Sequence, residues 1–220
     1  MTQETPTLSP EELDALLGQC NTKTPTGARN YALLQLMAQT GIRCGEALQV
    51  TEAMILQEPW VDNGNTVQVW CLRLPKRATK GNKERQGLPL TAATRAALAT
   101  WQGFRDALGI NGGPLFCTVS TGTRKAKFAA DGAELQPGKA LDSRYVRDLV
   151  KRLAAKAGIG RDVHPHMLRH TALTALYDKT QDLRLVQTVA GHSSSKTTER
   201  YTHVHPVAVA RAMGAIDEGD

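Results

Sequence analysis

Strand-forming sequence is confined to one stretch of this 220-residue chain, and helices are predicted on both sides of it. Residues 67–74 are rich in β-branched and aromatic side chains, and residues 87–90 form a second short strand. The polar, basic segment between them predicts the tip of a hairpin. An extended segment is also expected near residues 53–57. The pattern therefore predicts an α+β chain that is mainly helical and has one small antiparallel sheet.

Helix start signals mark much of the remaining chain. Ser9 is expected to cap a first helix, with Pro10 at its first position, because a serine oxygen accepts the unpaired amides of a helix start. Thr91 and Ser143 are expected to cap two later helices. Further helices are predicted over residues 28–40 (ending at Gly41), 44–50, 92–108 and 143–157, and surface loops over residues 62–65 and 118–140. Helices are expected to dominate the rest of the chain.

Positive charge is concentrated in the middle of the sequence. The net charge is +6, and residues 73–85 hold six basic side chains against one acid, while residues 124–161 hold ten against four. The first twenty and the last four residues are acidic instead. This distribution favours a polyanionic partner, although a basic face that is merely solvated would show the same clustering.

The sequence does not resemble that of a membrane protein or a secreted protein. No apolar run approaches the roughly 20 residues that cross a bilayer, and the polar, acidic start does not resemble a signal peptide. The four cysteines are far apart and form no C-x-x-C pair, which is typical of reduced thiols in the cytosol. We therefore expect a cytoplasmic protein without membrane contact.

Five short motifs carry the chemistry of the chain. They are G-I-R-C-G-E at residues 41–46, K-G-N-K at 80–83, H-M-L-R-H-T at 166–171, G-H-S at 191–193 and Y-T-H at 201–203. G-x-R-x-x-E alone occurs often by chance, whereas H-x-L-R-H-T is much more specific. Tyr201 follows His192 by nine residues, so the motifs also stand in a fixed order.

Together these motifs resemble the tyrosine recombinase (phage integrase) family over nearly the whole chain. Its catalytic domain carries G-x-R-x-x-E, a lysine on a β-hairpin, H-x-L-R-H-T, and L-G-H-S followed by Y-T-H. The resemblance implies the tyrosine recombinase catalytic-domain fold. It also implies a site-specific recombinase, Xer-like or similar to the minimal fimbrial-switch members, that cuts and rejoins duplex DNA through a 3′-phosphotyrosyl intermediate.

The resemblance assigns the phosphate-binding residues first. Cleavage of a phosphodiester places charge on the non-bridging oxygens of the transition state, and planar guanidinium groups match that geometry. Arg43 and Arg169 are therefore expected to clamp the phosphate, and His192 to donate a hydrogen bond to it. Glu46, three residues after Arg43, is expected to support the pocket. Seen alone, Arg43 and Glu46 would more often form a plain surface pair.

Proton transfer completes the implied site. Tyr201 matches the nucleophile of the family, and a phenol with a pKa near 10 needs a base or cationic surroundings. His166 is the candidate base, and Lys80 matches the general acid that protonates the leaving 5′-oxygen. The phosphotyrosine conserves the bond energy, so the resemblance implies no nucleotide, metal or other cofactor.

Other basic residues are expected to bind DNA without taking part in the reaction. They are Lys76, Arg77, Lys83, Arg85, Arg144, Arg147 and Lys151. A zinc site remains an alternative for the histidines, because His166 and His170 are four residues apart and Asp162 is near in sequence. We expect no metal site, since H-E-x-x-H is absent and no cysteine is close.

The domain organisation follows from the same resemblance. Residues 1–206 are expected to form the catalytic domain and residues 207–220 a C-terminal tail helix started by Pro206. Only 42 residues precede Arg43, too few for a separate N-terminal core-binding domain. The chain is thus either a minimal recombinase or an isolated catalytic domain. The tail is expected to pack on its own domain or on a neighbouring subunit.

The resemblance also implies an oligomeric state, and two rival functions stand beside the recombinase. The chain is expected to be a monomer or weak oligomer when free and a homotetramer on paired duplex sites. A type IB topoisomerase shares the catalytic logic but relaxes DNA as a monomer. A non-catalytic DNA-binding regulator with a decayed site is the rival from another class, and the full set from Arg43 to Tyr201 argues against it.

Overall fold

The computed structural model describes residues 6–62, 65–79, 85–119, 138–191 and 206–215. The helices in these ranges are α1 (Pro10–Gly18), α2 (Pro25–Thr40), α3 (Cys44–Ala47), α4 (Ala92–Ala107), α5 (Ser143–Lys156), α6 (Pro165–Thr180), α7 (Leu183–Ala190) and α8 (Pro206–Ala212). The strands are β1 (Ile55–Asp62), β2 (Asn65–Leu74) and β3 (Arg85–Pro89). They form one antiparallel sheet in the order β1-β2-β3. The mainly helical α+β class is confirmed.

Side-chain caps start several of the helices. Ser9 caps α1 as predicted, and Glu12 completes a capping box with it. Gly41 ends α2 in the left-handed region (φ 64°), where glycine carries no steric penalty. The prediction for α5 was wrong by one residue. Asp142, not Ser143, is the cap, because its carboxylate accepts the Tyr145 amide at 2.7 Å.

The sheet is larger than the sequence suggested. The segment expected to be extended near residues 53–57 begins as a 3₁₀ turn (Glu52–Met54) and becomes strand β1 at Ile55. The strand continues to Asp62, which pairs with Asn65. The ends of the expected surface loop at residues 62–65 belong to β1 and β2, and residues 63 and 64 lie outside the described residues. Lys76–Ala78 form a 3₁₀ turn after β2. Most of the predicted 118–140 loop lies outside the described residues, but its two ends are joined by a Cys117–Ala140 bridge.

The main core surrounds α2, which packs against α4 and α6. The apolar stripe predicted on α2 (Leu33, Leu34, Leu36 and Met37) is fully buried. Leu72, Leu74 and Leu88 line the face of the sheet that closes this core. Trp101 of α4 donates from its indole Nε1 to the Leu115 carbonyl at 2.9 Å, so its polar atom is satisfied inside the protein.

The opposite face of the sheet carries the tail. Trp60, Val69 and Cys71 form a small second cluster there with Ala210 of α8. Ala210 is fully buried, because its small side chain allows α8 to approach the strands closely. The helix expected after Pro206 therefore packs on its own domain in this structure.

Buried arginines tie loops to helices by donating to main-chain carbonyls. Arg105 of α4 donates to the carbonyls of Gly112, Pro114 and Leu115. Arg29 of α2 donates to the Cys117 carbonyl at 2.8 Å and to the Tyr145 hydroxyl on α5. Within the described ranges, no helix combines the length and apolar character needed to cross a bilayer.

Candidate active site

Three of the predicted catalytic residues meet in one pocket. Arg43 precedes α3, His166 and Arg169 lie on α6, and all three line a cavity of about 280 Å³. The remaining lining residues are Ile42, Cys44, Ser143, Arg147, His164 and Pro165. More than 120 sequence positions separate Arg43 from the two α6 residues, so the fold brings them together. The pocket is rich in cationic and titratable groups, as a phosphate site requires.

Glu46 fixes the position of Arg43. The left-handed Gly41 turns the chain out of α2, and Arg43 then precedes α3 in an extended conformation. Glu46 accepts the Arg43 amide at 2.8 Å and its guanidinium Nη1 at 3.1 Å. Glu46 is only 3% exposed, whereas the Arg43 side chain is 29% exposed. Glu46 is too deeply buried for a solvated surface pair. Its burial fits the supporting position that was expected for it.

Arg169 braces the site as well as lining it. Its side chain is 3% exposed, and it donates to the carbonyls of Gly41 at 2.6 Å and Ala190 at 2.8 Å. These carbonyls lie at the C-terminal ends of α2 and α7, where the helix dipole favours a cation. Gly41 leads to Arg43, and Ala190 leads to the segment that contains His192. Sequence reasoning missed this bracing, because no local pattern shows which carbonyls a buried arginine will reach.

His166 lies at the start of α6, on the solvent side of the pocket. Its ring meets the ring of His170 edge to face, with centroids 4.5 Å apart. Partial burial, together with the charge of Arg169 and the charge that His170 carries when protonated, holds the pKa of His166 below its ordinary value of 6.5. The pKa of His170 is lowered by burial and by Arg169. The imidazole of His166 is therefore neutral at neutral pH, which is the form that accepts a proton.

The first turns of α5 form another wall of the pocket. Arg147 is exposed there, and Arg144 and Lys151 are exposed on the same helix. Of the residues predicted to bind DNA whose side chains the structure describes, Arg147 is the one that lines the pocket. Burial raises the pKa of the Cys44 thiol, and Arg147 opposes that shift.

Of the other predicted DNA-binding residues, those that the structure describes lie on α5, in the 3₁₀ turn and in β3. Lys76 is exposed in the turn after β2, while Arg77 and Arg85 belong to the 3₁₀ turn and to β3 by their backbone. Lys151 forms a loose ion pair with Asp162 at 4.0 Å, and both side chains are exposed. Asp162 was the third ligand in the zinc alternative. Across the described part of the chain, no three His, Cys, Asp or Glu side chains group as a metal site would require.

Four predicted residues lie outside the described part of the chain: Lys80, Lys83, His192 and Tyr201. The structure describes the residues on either side of them. Thr79 precedes Lys80, and Gly191, the left-handed end of α7, precedes His192. Pro206 begins α8 five residues after Tyr201.

Comparison with known proteins agrees with the motifs. The family model described as the phage integrase family matches residues 6–207. The tyrosine recombinase XerC of Bifidobacterium longum (strain DJO10A) is 38% identical over 181 residues, covering 82% of this chain and 45% of that protein. XerC of Bacillus pumilus (strain SAFR-032) is 35% identical over 197 residues, covering 88% and 55%. The chain thus spans about half the length of these curated relatives.

Solved structures show the same fold. The XerH site-specific recombinase bound to difH substrate, in a pre-cleavage complex, has a TM-score of 0.62 and 30% identity, covering 93% of this chain and 52% of that one. The XerA recombinase has a TM-score of 0.63 and covers 99% and 61%, at 21% identity. The second likeness concerns the fold alone.

The histidine pair gives a direct test of the electrostatics of the pocket. Replacing His170 by Gln removes a neighbour whose protonation opposes that of His166, so the pKa of His166 should rise towards 6.5. An NMR titration of the His166 ring protons measures it. Tyr177→Phe, a change farther along α6, is the control and should leave the titration unchanged. A His166 pKa that stays the same or falls in His170→Gln would contradict this account.

Proposed function

The chain belongs to the phage integrase family, and from this premise we propose that it is a site-specific recombinase that cuts and rejoins duplex DNA through Tyr201. One observation carries the proposal: Arg43, His166 and Arg169 converge on a single cationic pocket. The chain would act on the nucleoid in the cytoplasm. Residues 1–206 would form the catalytic domain and residues 207–220 its tail.

The phosphate would be bound by the two arginines. Arg43 is held by the buried Glu46, yet its head group still reaches the pocket surface. Arg169 is anchored by two carbonyls, so its charge is fixed before DNA arrives. Fixed cations stabilise the charge that develops on the non-bridging oxygens without having to reorganise during the reaction. His192 would add a hydrogen bond to the same oxygens.

The reaction itself would be a transfer of the phosphoryl group to a phenol. The Tyr201 oxygen attacks phosphorus, its proton passes to neutral His166, and the bond from phosphorus to the 5′-oxygen breaks. Lys80 gives a proton to that 5′-oxygen. In the reverse step a 5′-hydroxyl attacks the phosphotyrosine and restores the diester. The bond energy is kept throughout, so these steps need neither a nucleotide nor a metal.

Basic side chains would hold the duplex. Arg144, Arg147 and Lys151 are exposed on α5, and Lys76 is exposed in the turn after β2. Arg77, Lys83 and Arg85 are the other basic residues that we expect to contact the DNA backbone. Contacts of this kind position the DNA backbone and release counterions, so the affinity should depend on salt concentration.

Tyr201→Phe tests the nucleophile. A nicked substrate that loses its 5′-hydroxyl fragment after cleavage traps the covalent adduct, which a denaturing gel resolves. The wild-type chain should form the adduct, and Tyr201→Phe should form none while binding DNA with unchanged affinity, because only the attacking oxygen is removed. Tyr177→Phe, a tyrosine that is 41% exposed on α6, is the matched control.

Three results would overturn the assignment of Tyr201 or the proposed function, two from this experiment and one from a separate plasmid assay. An adduct in Tyr201→Phe would remove Tyr201 as the nucleophile. DNA binding without any adduct in the wild-type chain would favour a non-catalytic regulator. Relaxation of supercoiled plasmid without site preference would favour a type IB topoisomerase.

Lys80→Ala tests the general acid. Cleavage of ordinary DNA should slow by about 100-fold, whereas a substrate with a 5′-thio leaving group should be cleaved at nearly the wild-type rate, because a thiolate leaves without a proton. Rates of adduct formation under single-turnover conditions give both numbers. Lys83→Ala, in the same motif, should slow both substrates equally or neither. Equal defects of Lys80→Ala on the two substrates would mean that Lys80 only positions DNA.

We also propose a tetramer on paired sites, with the tail involved in its assembly. In the free chain α8 lies on its own sheet, with Val209 and Ala210 buried. So short a helix has little stability alone and needs a surface to pack against. The tail joins Tyr201 to that surface through only a few residues. Exchange of the tail between subunits would therefore couple assembly to the position of the nucleophile.

Truncation after Pro206 tests this coupling. Mass photometry should count four wild-type protomers on DNA that carries two sites. The truncated chain should still bind a single site but should not form the four-protomer complex. Removing only residues 216–220 is the control and should have no effect. Normal assembly and recombination after truncation at Pro206 would make the tail a local packing element.

A further inference from the structure

The N-terminal segment is hydrogen-bonded to the helix that carries His166 and Arg169. The Leu8 amide donates to the Thr171 hydroxyl on α6 at 2.9 Å. The Leu8 side chain is 3% exposed and belongs to the main core, so its amide has little access to water. An amide in such a place costs free energy unless it has a partner, and the hydroxyl of Thr171 provides one.

A second anchor joins the same segment to the start of α6. Arg161 donates to both carboxylate oxygens of Glu12, at 2.6 Å each, and to the Thr7 carbonyl at 2.6 Å. The two parallel bonds to Glu12 fix the direction of the guanidinium. Glu12 also accepts the Ser9 amide at 2.9 Å in the capping box of α1. The segment from Thr7 to Glu12 is therefore rigid between its two attachments.

These attachments bracket the α6 part of the pocket. Arg161 and Thr171 lie on either side of His164, His166 and Arg169, all of which line the cavity. In sequence the anchors are 149 and 163 positions away from their partners in the N-terminal segment. Thr40, Thr100 and Thr180, by comparison, donate to the carbonyl four residues earlier in their own helices. The bond to Thr171 is long-range and joins two distant parts of the fold.

The geometry of the helix explains why a second bond matters. Arg169 fastens α6 to the ends of α2 and α7. Thr171 follows it by two residues, which corresponds to about 200° around an α-helix. The two side chains therefore act on nearly opposite sides of α6. A rotation of the helix about its axis would lengthen the bonds on one side or the other, so the pair fixes the direction in which His166 points.

We propose that Thr171 is a positioning residue: through Leu8, and together with Arg161, it holds α6 at the rotation that places His166 and Arg169 beside Arg43. This inference rests on the proposed function, since it concerns the geometry of the same reaction. Thr171 itself does not line the pocket. Its contribution would reach the phosphate only through the orientation of the helix.

Thr171→Val is the test, because valine keeps the shape and removes the acceptor. At saturating DNA, adduct formation should slow by about 10-fold, since small displacements of reacting groups cost rate, while DNA affinity stays unchanged. Thr171→Ser, which keeps the hydroxyl, should react at the wild-type rate. Thr174→Val, at an exposed position one turn along α6, is the matched control. In Thr171→Val the His166 ring signals should also shift in NMR spectra without DNA.

Several results would overturn the proposal. Thr171→Val could react at the wild-type rate with unmoved His166 signals, or Thr171→Ser could be as slow as Thr171→Val. Arg161→Gln provides a second, independent variant if Thr171→Val folds poorly. It should slow the reaction and move the same His166 signals. No change in either the rate or the signals would contradict the proposal. A wild-type chain that forms no adduct refutes the proposed function alone, because the His166 signals still report on the helix in the absence of DNA.

Discussion

The buried guanidinium of Arg169 connects the parts of this structure that matter for its chemistry. A cation removed from water is costly unless its donors are satisfied, and here the carbonyls at the C-terminal ends of α2 and α7 accept from it. The same carbonyls belong to residues that lead into Arg43 and His192. One side chain thus sets the starting points of two other motif segments. Glu46 orients Arg43, so both arginines are held by protein groups before any ligand is present.

Much of the fold could be predicted because local chemistry dictates it. Ser9 caps α1 and Gly41 ends α2, since a capping oxygen and a left-handed glycine work within a few residues of sequence. The edge strand β1 was harder to predict from the sequence, because Pro59 lies in its middle. Proline is tolerated at the edge of a sheet, where no further strand needs its missing amide, and β1 is such an edge. Asp142 displaced Ser143 as a cap, since adjacent residues of similar capping strength cannot be ranked without the backbone.

The site could be predicted only in part, for a related reason. The motifs named Arg43, His166 and Arg169, and the fold places these residues around one pocket. The pairings that support them were not predictable. Arg169 reaches main-chain carbonyls and Thr171 reaches an amide 163 positions away, and neither partner has a side-chain signature in the sequence. Long-range bonds to the backbone depend on the tertiary structure as a whole.

The two faces of the sheet pack against different parts of the protein. The inner face belongs to the large core around α2, and the outer face holds Ala210 of α8 in a small cluster with Trp60, Val69 and Cys71, while the neighbouring Val209 is buried in the large core. Local opening costs less free energy where fewer apolar contacts are lost. Releasing α8 would therefore cost the burial of Val209 as well as that of Ala210. Pro206 begins this helix five residues after Tyr201, so the chain on the C-terminal side of Tyr201 is attached to both clusters.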